Sequence, residues 1–177
     1  MPNVVIVRNT YPDIAALNNV IHYVLSKAAF QGGYGVTPEI GEAQMQMQFV
    51  KKAFYQTDAL QLKHFFITYS HEEAMYIDFD EMMLTAFEAA RLFGEYQMVY
   101  GLHLDGSHVH VHIVMNTTNF EDGHQYCDGL SGFMKVCDML KKKYPQYPVN
   151  LCQTRPYTPK EPFMDDDIND VQVLKSL

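Results

Sequence analysis

Apolar residues recur along this chain with two different periods, which separate predicted helices from predicted strands. A spacing of three to four residues predicts helices over about residues 14–27, 39–55, 79–94 and 130–143. Short apolar or alternating runs predict strands over residues 4–7, 62–70, 97–104 and 107–116. Helices interleaved with antiparallel hairpins predict a single-domain α+β sandwich, in which helices flank a central, mainly antiparallel sheet.

Two stretches lack such a period. Residues 31–38 contain three glycines and are interpreted as a flexible connection that could form a lid. Residues 145–162 contain five prolines, which favours an extended chain, and the acidic run 165–167 after them fits disorder or a short helix. We therefore divide the chain into a domain over residues 1–155 and a proline-rich, then acidic segment over residues 156–177, interpreted as the start of a further C-terminal region.

The strand predicted over residues 107–116 carries the most specific pattern. Its apolar face would hold Val109, Val111, Ile113 and Met115, and its polar face His108, His110, His112 and Asn116. Histidines two residues apart on a strand point their imidazoles in the same direction. Asp105-Gly106 just before this strand is a tight-turn signal, which would fold His103 back beside His110 and His112. The spacing therefore predicts a metal site of His103, His110 and His112 on the central strands, with His108 outside the site and nearer the turn.

Three imidazoles with an open coordination position can activate water or polarise a phosphoryl oxygen. The ligand set by itself favours zinc, nickel or copper, with cobalt also compatible, over manganese and magnesium. Asp105 lies two residues from His103, so its carboxylate could hydrogen-bond the second ring nitrogen of a ligand and fix its tautomer.

The same residues resemble a known family. The pattern His103-x-Asp105-x-x-His108-x-His110-x-His112-x-x-x-Asn116 looks like the third motif of the relaxase/mobilisation nuclease family (Mob/Vir type). These histidine-hydrophobic-histidine endonucleases nick one DNA strand at the transfer origin of a plasmid or conjugative element. Residues 19–25 are similar to the family's first motif, which carries the nucleophilic tyrosine, and residues 64–70 and 120–123 look like weaker further matches. The likeness covers about residues 1–155.

The resemblance implies a function and a role for each motif residue. Tyr23 would attack the scissile phosphate, giving a 5′-phosphotyrosine and a free 3′-hydroxyl, and the nick could be resealed by the reverse reaction. Asp105 would support catalysis, and His108 and Asn116 would contact the substrate. One divalent ion, magnesium or manganese in the family, would be bound by the three histidines. The implied partners are single-stranded DNA at a transfer origin, accessory relaxosome proteins and a coupling protein, in horizontal gene transfer by conjugation.

Composition modifies this interpretation. The net charge of −8 is unusual for a protein that binds DNA, because affinity for DNA rests largely on neutralising phosphates. Three cysteines without metal-site spacing suggest reduced thiols in the cytoplasm. No apolar stretch is long enough to predict a membrane span, so no membrane insertion is expected.

Two other classes of function remain open. A rolling-circle replication initiator or transposase of the same superfamily would carry its tyrosine after the histidines, at Tyr144 or Tyr147, although Pro145 makes Tyr144 a poorer fit. A non-catalytic metal-binding or autoregulatory DNA-binding module is the second class, and the acidic charge favours it. In the relaxase interpretation, Phe30, Tyr34 and Tyr69 are candidates to stack on the exposed bases of single-stranded DNA.

Overall fold

The computed structural model describes residues 2–104, 108–156 and 171–177. In these ranges the α-helices are α1 (Ile14–Ser26), α2 (Ile40–Ala53), α3 (Phe79–Arg91) and α4 (Ser131–Lys143). The strands are β1 (Asn3–Arg8), β2 (Phe30–Tyr34), β3 (Leu62–Tyr69), β4 (Tyr96–His103), β5 (Val109–Asn119), β6 (Asn150–Pro156) and β7 (Val171–Ser176). A short 3-10 helix, Glu73–Met75, precedes α3.

All the described strands form one sheet, in the order β2-β4-β5-β3-β1-β6-β7. The β1–β6 pair is parallel, and the other neighbours are antiparallel. The predicted α+β class, with helices flanking a central and mainly antiparallel sheet, is confirmed. β4 and β5 are neighbouring strands inside the sheet, and both carry predicted metal ligands.

The two faces of the sheet are covered by different helices. Val111, Ile113 and Met115 of β5 pack into a core with α3 and α4, together with residues such as Met82 and Val136. Val114 of β5 packs into a second core with α1 and α2. The predicted alternation along β5 is confirmed: its apolar face packs against α3 and α4, and its histidines lie on the side of α1 and α2.

The stretch predicted as a flexible connection contains an edge strand instead. Phe30–Tyr34 pairs with β4, and Gly32 lies opposite Tyr100. A Cβ at position 32 would lie 2.4 Å from the Tyr100 ring, so glycine is required where this ring crosses the strand. The prediction of a lid was wrong because glycines, which usually weaken strands, here make room for a cross-strand aromatic side chain.

The end of the chain also contributes strands. β6 lies within the stretch predicted to be extended, whereas β7, which pairs with β6 at the sheet edge, was not predicted. The acidic run 165–167 lies outside the described residues, and the division of the chain at residue 155 stays a prediction. In the part of the chain that is described, none of the helices is long and apolar enough to cross a membrane.

Candidate metal centre

Three buried histidines meet at the adjoining ends of β4 and β5. His103 lies opposite His110 in the strand register, and His112 lies opposite Gly101. The ring centroids are 5.5 Å apart for His103 and His110, 4.6 Å for His103 and His112, and 4.8 Å for His110 and His112. One nitrogen from each ring lies within 4.8 Å of the other two, and among the described residues this is the cluster that could hold a metal ion.

Each of the three imidazoles has one nitrogen in a hydrogen bond that fixes the ring. Nε2 of His103 lies 2.8 Å from the carbonyl oxygen of Val24, and Nδ1 of His110 lies 3.0 Å from that of His108. A carbonyl oxygen can only accept, so each of these nitrogens carries the proton. The metal-binding atoms would then be Nδ1 of His103 and Nε2 of His110, because a ligand nitrogen must present its lone pair.

The spacing of these nitrogens suits a small divalent ion. A bond of about 2.1 Å from each nitrogen to a central ion would need every ring to move inwards by less than about 1 Å. The donor set is neutral and entirely imidazole, which fits zinc, nickel, cobalt or copper, and also manganese with lower affinity. Bound there, the ion would leave coordination positions open to a phosphate oxygen or water.

His112 is held differently, by a side chain that sequence analysis did not place in the site. Its Nδ1 lies 2.8 Å from Nε2 of His64 on β3, and Nδ1 of His64 lies 3.3 Å from the hydroxyl of Tyr11. All three side chains are buried. Period-two counting puts His64 on the same face of β3 as Phe66, but its contact with His112 depends on strand register, which the sequence does not reveal.

Tyr23 lies directly against the cluster. Helix α1 begins after Asp13, whose side chain accepts a hydrogen bond of 2.8 Å from the amide of Ala16 and so caps the helix. The partly buried Tyr23 ring is 5.7 Å from the rings of both His103 and His112, measured between centroids. The next residue, Val24, provides the carbonyl that holds His103, so one turn of α1 positions both the tyrosine and a histidine.

Two features next to Tyr23 shape its surroundings. Nζ of Lys27 lies 4.8 Å from the centroid of the Tyr23 ring, which places a positive charge beside the phenol. Gly101 on β4 allows α1 to come close, because a Cβ there would lie 2.8 Å from both the Val24 carbonyl oxygen and the Cβ of Ala28. A glycine in the centre of a strand is thus explained by the approach of the helix that carries Tyr23.

Two other motif residues, His108 and Asn116, are not members of the three-histidine group. His108 is half-buried before β5 and is not a member of the three-histidine group, although its carbonyl orients His110. Asn116 lies farther along β5, buried, where its amide donates to the Met47 carbonyl and to Gln97. Asp105 lies outside the described residues. The roles expected for these three residues stay predictions.

The two alternative tyrosines, Tyr144 and Tyr147, and two of the three candidate stacking residues pack into the core on the other side of the sheet. Tyr144 is buried in the core beneath α3 and α4, with its hydroxyl 2.9 Å from that of Thr85. Tyr69 is completely buried, so the expectation that it stacks on bases was wrong. Tyr34 is half-buried and packs against Phe87 of α3, and stacking by this residue stays a prediction. Phe30 is exposed and contacts Phe79 at the start of α3.

The fold and the site together define an α+β domain. Its neighbouring strands β4 and β5 carry three histidines whose rings lie close together, and a tyrosine on a helix packs against them. The family model for the relaxases, described as the MobA/VirD2-like nuclease domain, matches residues 18–145, and the chain belongs to this family. The matched range runs from α1 to the end of α4 and includes Tyr23 and the three histidines. Searches of curated proteins and of solved structures found no significant match.

Proposed function

We propose that this relaxase nicks one strand of DNA at the transfer origin of a plasmid or conjugative element, with Tyr23 as the nucleophile. The observation that carries the proposal is the position of the Tyr23 ring, 5.7 Å from the rings of both His103 and His112. An ion at the three histidines and a phenol at this distance can engage the same phosphate. Within the matched family range, Tyr23 also falls on the helix where the resemblance places the attacking tyrosine.

The reaction is a transesterification. The Tyr23 oxygen forms a bond to phosphorus while the bond from phosphorus to the 3′-oxygen breaks, which gives a 5′-phosphotyrosine and, after protonation, a free 3′-hydroxyl. The number of phosphoester bonds is unchanged, so the reverse attack by a 3′-hydroxyl can reseal the strand. A divalent ion bound at the histidines would offset the charge that develops on the phosphate oxygens.

The chain's own residues supply orientation and charge. Val24 and Tyr23 are neighbours on α1, so the hydrogen bond from His103 to the Val24 carbonyl ties the nucleophile's helix to the metal site. Lys27 follows Tyr23 by one helical turn, and its positive charge near the ring favours both the phenoxide and an incoming phosphate. We assign the removal of the phenol proton to Asp105 or His108, two side chains of the third motif that can act as a base.

We propose single-stranded DNA as the substrate, because in-line attack by a helix-bound tyrosine requires the backbone to leave the duplex. Accessory relaxosome proteins and a coupling protein in the cytoplasm are the proposed partners. Basic partners would also supplement the phosphate contacts of a chain whose net charge is −8.

Covalent capture tests the proposal. The protein is incubated with manganese and a single-stranded oligonucleotide library that has a randomised centre, and adducts are isolated under denaturing conditions, sequenced and digested for mass spectrometry. We expect a shared nick sequence and a nucleotide on the peptide that contains Tyr23. An adduct on Tyr144 or Tyr147 would move the protein to the initiator class, and sequence-selective binding without any adduct would indicate a non-catalytic module.

A further inference from the structure

We infer that His64 and Tyr11 are positioning residues, which hold the His112 imidazole in the tautomer and orientation that metal binding requires. The inference rests on the proposed metal site, and it concerns two residues outside the three-histidine group. The contacts are Nδ1 of His112 to Nε2 of His64 at 2.8 Å, and Nδ1 of His64 to the Tyr11 hydroxyl at 3.3 Å. The rings of His64 and His112 are also close, with centroids 5.0 Å apart.

The direction of the hydrogen bonds follows from metal binding. If Nε2 of His112 binds the ion, its lone pair is used there and the proton of the neutral ring is on Nδ1. That N–H donates to Nε2 of His64, which must be unprotonated, so the proton of His64 is on its own Nδ1. This second N–H then donates to the Tyr11 oxygen. One tautomer of each ring therefore satisfies the whole chain of contacts.

His112 is the ligand that depends on this arrangement. His103 and His110 donate to the backbone carbonyls of Val24 and His108, which the fold fixes regardless of nearby side chains. The ring of His112 is fixed by a side chain on β3, whose own ring is in turn oriented by a side chain from the loop before α1. Substitution of His64 or Tyr11 can therefore remove the hydrogen bonds that orient His112 without altering any of the three proposed metal ligands.

Tyr11 is held in an unfavourable backbone conformation. Its backbone has a φ of 35°, in the left-handed region that non-glycine residues seldom adopt, and its carbonyl accepts a hydrogen bond of 3.1 Å from the amide of Gln61. The ring is buried against α1 and α2, and burial keeps the pKa of the phenol well above its usual value. The hydroxyl thus stays protonated, available as a neutral partner for His64.

Zinc and manganese titration by calorimetry tests the inference, with wild type, His64→Leu, His64→Gln, Tyr11→Phe and, as control, His124→Gln on an exposed histidine. We expect His64→Leu to bind metal about 10- to 100-fold more weakly, as is typical when the outer partner of a ligand is lost. His64→Gln should recover part of that affinity because its amide oxygen can accept from His112, and Tyr11→Phe should lose less than His64→Leu. The control should bind like wild type.

The outcomes separate the inference from the proposed function. Wild-type protein that binds neither ion would overturn the metal site and the inference together. Metal binding by His64→Leu with wild-type affinity would overturn the inference alone, even if its melting temperature fell. Imidazole nitrogen spectra of zinc-loaded wild type give a test without substitution: we expect His64 protonated on Nδ1 and a scalar coupling across the hydrogen bond between His112 Nδ1 and His64 Nε2. The opposite His64 tautomer would contradict the assignment.

Discussion

The ring of Tyr23 stands edge-on to the ring of His112, with centroids 5.7 Å apart and an interplanar angle of 77°. The two residues belong to different layers of the fold, since Tyr23 is on α1 and His112 is on the central strand β5. Their contact joins the first and third sequence motifs into one site. The phenol is thereby placed beside the proposed ion.

Tyr23→Phe should abolish nicking while leaving fold and metal affinity intact, because the substitution deletes only the attacking oxygen. We expect cleavage of the captured single-strand sequence to fall by at least about a thousandfold, with binding of the same oligonucleotide changed only slightly. Tyr55→Phe, at a fully exposed ring, is the matched control and should cleave normally. Nicking retained by Tyr23→Phe would remove Tyr23 from the mechanism.

Much of this site was predictable from sequence because it depends on local periodicity. The alternation from His108 to Asn116 determines which side chains share a face, and the turn signal before it predicts the pairing of His103 with His110. The helix around Tyr23 follows from its apolar spacing and the cap at Asp13. These features need only neighbouring residues.

The features that were missed depend on register between distant segments. His64 reaches His112 because β3 pairs with β5 so that Phe66, rather than His64, lies directly opposite His112. A shift of one residue would turn His64 to the other face. Likewise, the strand at Phe30–Tyr34 forms because Tyr100 on β4 covers Gly32, a contact that composition alone cannot indicate.

Single alanine substitutions should separate ligands from neighbours. We expect His103→Ala, His110→Ala and His112→Ala each to reduce zinc or manganese affinity by more than about a hundredfold, because removing one of three ligands leaves an incomplete site. His108→Ala should bind nearly as wild type, since His108 is not a member of the three-histidine group and the substitution keeps the carbonyl that orients His110. Equal loss in His108→Ala and His110→Ala, measured by calorimetry, would show that the ligand set is wrong.

Gly101→Ala should damage the fold and the site together. The new methyl group would lie 2.8 Å from both the Val24 carbonyl oxygen and Ala28, so α1 must move outwards. We expect a loss of about 1–3 kcal/mol in the free energy of unfolding, which is typical of overpacking. The same shift should weaken metal binding, because the Val24 carbonyl orients His103.

Gly41→Ala is the matched control for this prediction. A Cβ at position 41 meets nothing within 4 Å, and the residue lies in the first turn of α2. We expect a small gain of about 0.5–1 kcal/mol, because alanine restricts the unfolded chain and favours helix. Chemical denaturation measures both variants, and a Gly101→Ala protein as stable as wild type with normal metal affinity would contradict the close approach of α1.

Lys51 should make stability depend on pH in the alkaline range. Its side chain is completely buried on α2, where the amine donates to the hydroxyls of Thr117 and Thr118, both at 3.3 Å. Burial lowers the pKa of Lys51 from 10.5 to about 8. Between these two values the unfolded chain binds more protons than the folded protein, so the contribution of Lys51 to stability rises with pH across that window. Below about pH 8 the Lys51 amine is charged in both the folded and the unfolded protein, so the free energy of unfolding is lowered by the full cost of burying that charge.

Lys51→Met removes this charge and fills a similar volume. We expect it to raise the free energy of unfolding at pH 7 by about 1–3 kcal/mol, since the shift in pKa sets an upper limit of about 3 kcal/mol and the lost hydrogen bonds offset part of the gain. The difference between Lys51→Met and wild type should shrink as pH rises from 8 towards 10.5. Lys52→Met, on the exposed neighbour, should show no such trend. Urea denaturation at several pH values decides the matter: a difference that stays constant from pH 7 to pH 10 would mean that the pKa of Lys51 is not lowered by burial.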